Sequence, residues 1–217
     1  MKNAKICNLP KITISYNNKK VGNLPTISWP AVITCPPGAK CIPDCYACSY
    51  CEYRPNVAAS YENNLKALLK DPGAVWDEIY RACRNSKGFR YQVCGDIPNE
   101  QFLLSKIACA NDNPQTIFLF FTKKYDLVNR YYEMFPANLQ PIFSKWPGMD
   151  MPNPHNIPVA IVYYDESELQ EEWITCRAQE SDGEYQCIDC LLEGRGCWYA
   201  KKGDVIALKY HGKKKKS

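Results

Sequence analysis

Apolar residues recur along this chain at two periods, and the alternation between them predicts a mixed α/β fold. Ala58, Tyr61, Leu65, Leu68 and Leu69 fall near helical spacing and predict a helix over 58–70, ended by Asp71-Pro72-Gly73. Val75, Ile79 and Ala82 repeat the pattern over 74–84, and 100–110 and 125–135 read as further helices. FRYQVC, at 89–94, alternates as a strand does and runs into the turn Gly95-Asp96-Ile97-Pro98. TIFLFF, at 116–121, is a continuous apolar run of strand length, which predicts a strand covered on both faces. Short apolar strands are expected at 139–143, 159–163 and 205–208. Nearer the start, PTISWPAVI at 25–33 reads as a strand interrupted at Pro30, and Ile12, Ile14 and Tyr16 alternate like a short edge strand.

Strands that alternate with helices in this way predict a mainly parallel sheet with helices packed outside it. The units are too few for a closed eight-fold barrel, so the expected fold class is α/β, an open partial (β/α) barrel. Residues 1–170 would form that body and carry an N-terminal cysteine loop. Residues 171–212 would be a cysteine-rich metal-binding segment packed on it, and 213–217 a disordered lysine tail. Chemistry in such folds gathers at the carboxyl ends of strands. The residues expected there are Cys35, Cys94-Gly95-Asp96, Thr122-Lys123, Ser144-Lys145 and Tyr164-Asp165.

Composition narrows the chemistry. A chain of 217 residues can bury about 70% of its unfolded surface and needs no staples to fold. Its thirteen cysteines are therefore not explained by a missing core. The N-terminus lacks a signal-peptide pattern and the cysteine count is odd, which argues against disulfides and for a reducing, cytoplasmic setting. No apolar stretch approaches the roughly 18 residues of a membrane span. Lys213–Lys216 account for the net charge of +4, and the rest of the chain balances. Nucleic acid is thus not an expected partner of the body, although the lysine tail can make a weak non-specific contact. A small-molecule ligand or an electron donor is the expected partner.

The cysteines fall in groups. TCPPGAKCIPDCYACSYCEY, at 34–53, holds Cys35, Cys41, Cys45, Cys48 and Cys51, and Pro36, Pro37, Gly38 and Pro43 are expected to keep it out of helix and sheet. Cys176, Cys187, Cys190 and Cys197 form a second group, with glycines at 183, 194 and 196 letting the loop fold back. Thiolates are soft ligands for iron–sulfur, zinc and cuprous copper, and cysteines two or three residues apart can grip one small centre. His155 and His211 lie near no C-x-x-C, which argues against a Cys2His2 zinc site. Iron–sulfur ligation suits short, uneven spacing, with zinc the alternative in each group. Cys83 and Cys109 sit in predicted helices and read as buried hydrophobes, and Cys7 as inert. Cys94 ends a strand beside the site, as a ligand or a close neighbour. Asp96 can bind a ligand ammonium or cap its turn. Lys123 and Lys145 can face an anion or lie on the surface. The acidic run Asp165–Glu172 reads as a solvated helix start. No Gly-rich phosphate loop, G-x-S-x-G or H-E-x-x-H is present.

Two resemblances follow. Cys41, Cys45 and Cys48 are spaced C-x3-C-x2-C, which resembles the signature of the radical SAM enzymes. That resemblance implies a [4Fe–4S] cluster on these three cysteines, an iron left for S-adenosylmethionine, and a loop after the first strand of a partial barrel. Gly95, Asp96, Thr122 and Lys123 would then bind the cofactor. The family's aromatic residue precedes its third cysteine, whereas here Tyr46 follows the second and Ala47 precedes Cys48. A wider likeness is carried by Thr34-Cys35-Pro36, Cys41, Cys45-Tyr46-Ala47, Gly95-Asp96, Phe121-Thr122-Lys123, Ser144-Lys145-Trp146, Cys187-x2-Cys190 and Cys197-Trp198. In that order these resemble the phage "gene product eighty-eight" family of cysteine-rich proteins. This second pattern uses Cys35, Cys41 and Cys45, and has serine where this chain has Cys94. The expected function is that of an iron–sulfur protein of radical SAM type with one or two clusters. The alternative is a non-catalytic iron–sulfur or zinc protein of a phage or mobile element, with a structural or electron-transfer role.

Overall fold

The structure, a computed structural model, describes residues 12–181 and 183–210. Cys7, His211 and the lysine tail lie outside the described residues. Seven strands, β1 (Thr26–Ile27), β2 (Gly88–Tyr91), β3 (Ile117–Thr122), β4 (Leu139–Ser144), β5 (Val159–Tyr163), β6 (Ile174–Thr175) and β7 (Val205–Lys209), form one sheet in the order β1-β2-β3-β4-β5-β7-β6. Every strand pair in it is parallel. The sheet is open, with β1 and β6 at its edges. The Cys-rich C-terminal stretch is woven into it, because β7 hydrogen-bonds to both β5 and β6.

Alternation along the strands sorts side chains to two faces. On one face Ile27, Phe89, Tyr91, Phe118, Phe120, Leu139 and Phe143 pack under four helices. These are α2 (Pro55–Lys70), α3 (Pro72–Cys83), α4 (Glu100–Asp112) and α5 (Tyr125–Tyr131). Phe102 of α4 ties the layers together: Trp29 meets it edge-on at 5.0 Å and Trp76 at 4.9 Å. Each fully buried ring contributes about 2 kcal/mol relative to exposure. The helices are cut where the sequence cuts them. Asp71 Oδ1 accepts from Ala74 N at 3.0 Å with Pro72 in the first turn, and Asn99 Oδ1 accepts from Phe102 N at 2.8 Å to start α4.

The other face carries Arg90, Leu119, Ile142, Ala160 and Ile206. Val21, Leu24, Leu191, Trp198 and Ala200 cover its apolar part. Leu191 comes from α7 (Cys187–Leu192), which follows the short α6 (Arg177–Glu180). A Cβ at Gly88 would stand 2.5 Å from Leu191 Cδ2, so glycine there lets the Cys-rich segment seat against the strands. β3 is thus apolar on both faces because both are covered. Among the described residues no helix is long and apolar enough to cross a membrane.

Four expectations are corrected. The strand expected at 25–33 shrinks to Thr26–Ile27, and the one at 89–94 stops at Tyr91. Gln92 takes a left-handed φ of 50°, and Pro30 has no N–H to continue the ladder. Ile12, Ile14 and Tyr16 form no edge strand; Ser15 makes an isolated antiparallel bridge to Thr26. The cysteine loop is not free of helix: a 3-10 turn spans Ile42–Asp44 and α1 spans Tyr46–Glu52. Its prolines all precede Cys45, and Pro43 sits in the first turn of the 3-10 helix, where no N–H is required.

Candidate metal centre

The N-terminal cysteines are delivered by three different local structures. Cys35 follows a bend closed by Thr34, whose Oγ1 donates to Pro30 O at 2.9 Å and accepts from Asp96 N at 2.9 Å. Cys41 opens the 3-10 turn and Cys45 caps α1. Cys48 and Cys51 follow at three-residue steps, which puts Cys45, Cys48 and Cys51 on one side of that helix. Cys45 and Cys48 are electrostatic neighbours, as are Cys51 and the buried Cys94, which lies three residues beyond the end of β2. Cys35 interacts with Asp96, Cys45 and Cys41. Six cysteines, Cys35, Cys41, Cys45, Cys48, Cys51 and Cys94, thus lie on segments at the carboxyl edge of the sheet.

Burial pushes the thiols of Cys35 and Cys48 up to about 11, and raises those of Cys41, Cys51 and Cys94. At Cys41 the charge of Lys123 works in the opposite direction. At neutral pH these groups are protonated until a cation displaces the proton. Tyr46 is 59% exposed, yet surrounding protein pushes its phenol up to about 12. Its hydroxyl donates to Val93 O at 2.6 Å, beside Cys94.

Beside the cysteines lies a polar ledge. Asp96 is 4% exposed and accepts from Thr122 Oγ1 at 2.5 Å, Ile97 N at 2.7 Å and Lys123 N at 2.8 Å. Both carboxylate oxygens are thus engaged by the chain itself, and burial raises the carboxyl above its ordinary value of 3.8. Thr122 is buried as well, while Lys123 is half-buried with Nζ donating to Ser144 Oγ at 2.7 Å. Gly95 has φ +76°, and a Cβ there would stand 2.6 Å from both Trp29 O and Thr34 Oγ1. Only glycine lets the ledge and the Cys35 bend approach so closely. Lys145 is exposed, and Asp165 caps a 3-10 turn at Glu166–Glu168.

The second group lies against the inner face. Cys176 caps α6, Cys187 and Cys190 lie on α7, and Cys197 lies on a 3-10 turn at Gly196–Tyr199. Each of Cys176, Cys190 and Cys197 is raised by burial, with Cys187 among its electrostatic neighbours. The segment is anchored by Cys187 N donating to Lys20 O at 2.9 Å and by Trp198 Nε1 donating to Cys187 O at 2.9 Å. Arg90 of β2 points into this group, with Nη1 3.2 Å from Cys187 Sγ. Sequence reading passed over Arg90, although a charged residue inside an otherwise apolar strand was the available signal. Cys83 and Cys109 are fully buried, away from both groups, with their thiols hydrogen-bonded to each other.

The twelve described cysteines are free thiols. As the side chains stand, no group of three or more His, Cys, Asp or Glu among the described residues could hold a metal ion. The donor set nevertheless suits a soft metal by its chemistry: ten of the described thiols fall in two groups. Two surface hollows, one by Tyr132 and Pro136 and one by Ile12 and Glu78, include no cysteine in their linings.

Fold and site together define a class: an open, all-parallel α/β protein with one cysteine group at the carboxyl edge of its sheet and another packed on its inner face. The chain belongs to the Gene product 88 family, whose defining pattern it matches over residues 3–216. Comparison with curated proteins and with solved structures finds no match. The family likeness read from the cysteines and the ledge is borne out across the chain.

Proposed function

We propose that this chain is an iron–sulfur protein of radical SAM type, with a [4Fe–4S] cluster on Cys41, Cys45 and Cys48 and S-adenosylmethionine bound along the ledge from Gly95 to Lys123. One observation carries the reading. The segment carrying C-x3-C-x2-C is tied to the carboxyl end of β2 by the Tyr46 hydroxyl, which donates to Val93 O at 2.6 Å, and by Asp96 N, which donates to Thr34 Oγ1 at 2.9 Å. A bound cluster would supply the electron that cleaves the sulfonium of S-adenosylmethionine. The chain's own residues prepare the place for it. Asp96, with both oxygens engaged, orients the ledge and does not itself grip the ligand. Lys123 Nζ, held by Ser144, presents positive charge to a carboxylate. Tyr46, next to Cys45, fixes the start of its helix to Val93 O through its hydroxyl. A cluster spreads its thiolates farther apart than a single ion does, so a loose arrangement of thiols suits it better than zinc, whose Zn–S bonds of about 2.3 Å demand tight convergence.

Cys35 and Cys51 favour a second reading. Both lie within interaction range of Cys45. A fourth thiolate from either would close the cluster and leave no iron for S-adenosylmethionine. The chain would then be a structural or electron-transfer protein of a phage or mobile element, holding iron–sulfur or zinc. The test is to incubate reduced, anaerobically purified protein with S-adenosylmethionine and measure 5′-deoxyadenosine. Its formation, abolished by Cys45→Ser, supports the first reading. Its absence from a preparation with intact clusters refutes it in favour of the second.

A further inference from the structure

Arg90 is a cation with no anion to meet it. Its Cα lies in register with Thr26 of the edge strand β1 and Leu119 of β3, on the face of the sheet that the Cys-rich segment covers. Its guanidinium packs over the Phe121 ring at 5.2 Å and reaches Cys187 Sγ at 3.2 Å. Its Nε is sealed from solvent and has no partner. The groups that act on its charge are Cys187, Tyr46, Cys197 and Cys176, and no ion pair among the described residues includes it. A guanidinium stays charged throughout the accessible pH range. Leaving a sealed part of it without an acceptor is unfavourable.

We propose that Cys176, Cys187, Cys190 and Cys197 form a four-thiolate metal centre of net negative charge, and that Arg90 is the positioning residue that neutralises it and donates to its sulfurs. This rests on the metal reading of the cysteines but not on S-adenosylmethionine. As four metal–sulfur bonds form, four S–H protons leave to solvent, and the thiolates supply the anion that Arg90 lacks. The unpartnered Nε then finds a sulfur acceptor. Four cysteines saturate the centre, so it has no open position, and its role is to hold the C-terminal segment on the sheet or to carry electrons. A Cβ at Gly196 would stand 3.1 Å from Cys190 Sγ, so glycine there lets the chain turn close beside that sulfur.

The test uses the full chain purified without oxygen. Metal and sulfide are counted, and the metal is then withdrawn by titration with a chelator of known affinity. Cys187→Ser/Cys190→Ser is expected to lose one centre's share of metal and to keep the share that Cys41→Ser/Cys45→Ser removes. Arg90→Met is expected to weaken the second centre by about 10–100-fold, the usual effect of losing a partner that supports metal ligands. Arg90→Lys should fall between Arg90→Met and wild type. Arg90→Gln, neutral but polar, is read in the same way should Arg90→Met not fold. Sulfide equal to iron marks a cluster, and zinc without sulfide a mononuclear site; the proposal covers both. Wild-type affinity in a folded Arg90→Met or Arg90→Gln overturns it, as does unchanged metal in Cys187→Ser/Cys190→Ser. Because the two double variants are read separately, failure here is distinguishable from failure of the Cys41, Cys45 and Cys48 centre.

Discussion

Replacing Asp96 by alanine removes the carboxylate that joins the ends of β2 and β3. Three donors lose their acceptor at once: the Thr122 hydroxyl and the backbone N–H groups of Ile97 and Lys123. Hydrogen bonds to a charged group contribute about 1.5 kcal/mol or more each, so the gross loss is about 5 kcal/mol. Burial of the carboxylate opposes this, as its raised pKa records, and its removal returns about 2 kcal/mol. Asp96→Ala is therefore expected to lose about 3 kcal/mol, a fall in Tm of about 6–12 °C for a chain of this size. The pH dependence has a definite sign. A carboxyl whose folded pKa exceeds its unfolded value stabilises most below that unfolded value, here 3.8, and loses the benefit as pH rises through the folded pKa. The stability gap between wild type and Asp96→Ala should consequently narrow as pH rises above 3.8. Thermal melts followed by circular dichroism at several pH values measure both quantities. A variant within about 1 kcal/mol of wild type, or a gap that widens as pH rises, would refute the account of Asp96 as a buried brace.

Lys106 is fully buried on α4, bonded to Gln92 Oε1 and set over the rings of Phe120, Tyr91 and Phe102. Burial lowers its pKa well below 10.5, so the folded state binds the proton more weakly than the unfolded chain, and stability gains with rising pH up to about that value. Lys106→Met should lack this gain, and denaturant unfolding at pH 7 and pH 9.5 that shows equal slopes in the two proteins would contradict it. Gly95→Ala should cost about 3 kcal/mol or more, because the new Cβ meets the Trp29 backbone in a left-handed conformation. A wild-type melting temperature in that variant would show that the ledge yields more easily than its packing implies.

Much of the fold was legible because its elements obey simple periods. The helices expected at 58–70, 74–84 and 100–110, observed at Pro55–Lys70, Pro72–Cys83 and Glu100–Asp112, and the buried strand in TIFLFF follow from spacing. The errors fall where one backbone angle decides. Nothing in FRYQVC announces that Gln92 turns left-handed and ends β2 two residues before Cys94. The helix over Tyr46–Glu52 was hidden by prolines that precede it and do not interrupt it. The cysteine groups were legible as groups, since local spacing is visible in a string. Their partners were not, because Cys94 joins Cys51 and Arg90 joins Cys187 only through sheet register and crossover connections. Asp96 was read as either a ligand group or a turn cap; its contacts make it a brace between two strand ends.

The central claim is that these thiols close around inorganic centres, and metal and acid-labile sulfide analysis of anaerobically purified protein tests it most directly. The account predicts brown protein absorbing near about 400 nm, with iron and sulfide in equal amounts and both reduced in Cys41→Ser/Cys45→Ser. Colourless protein with neither iron nor sulfide would contradict it.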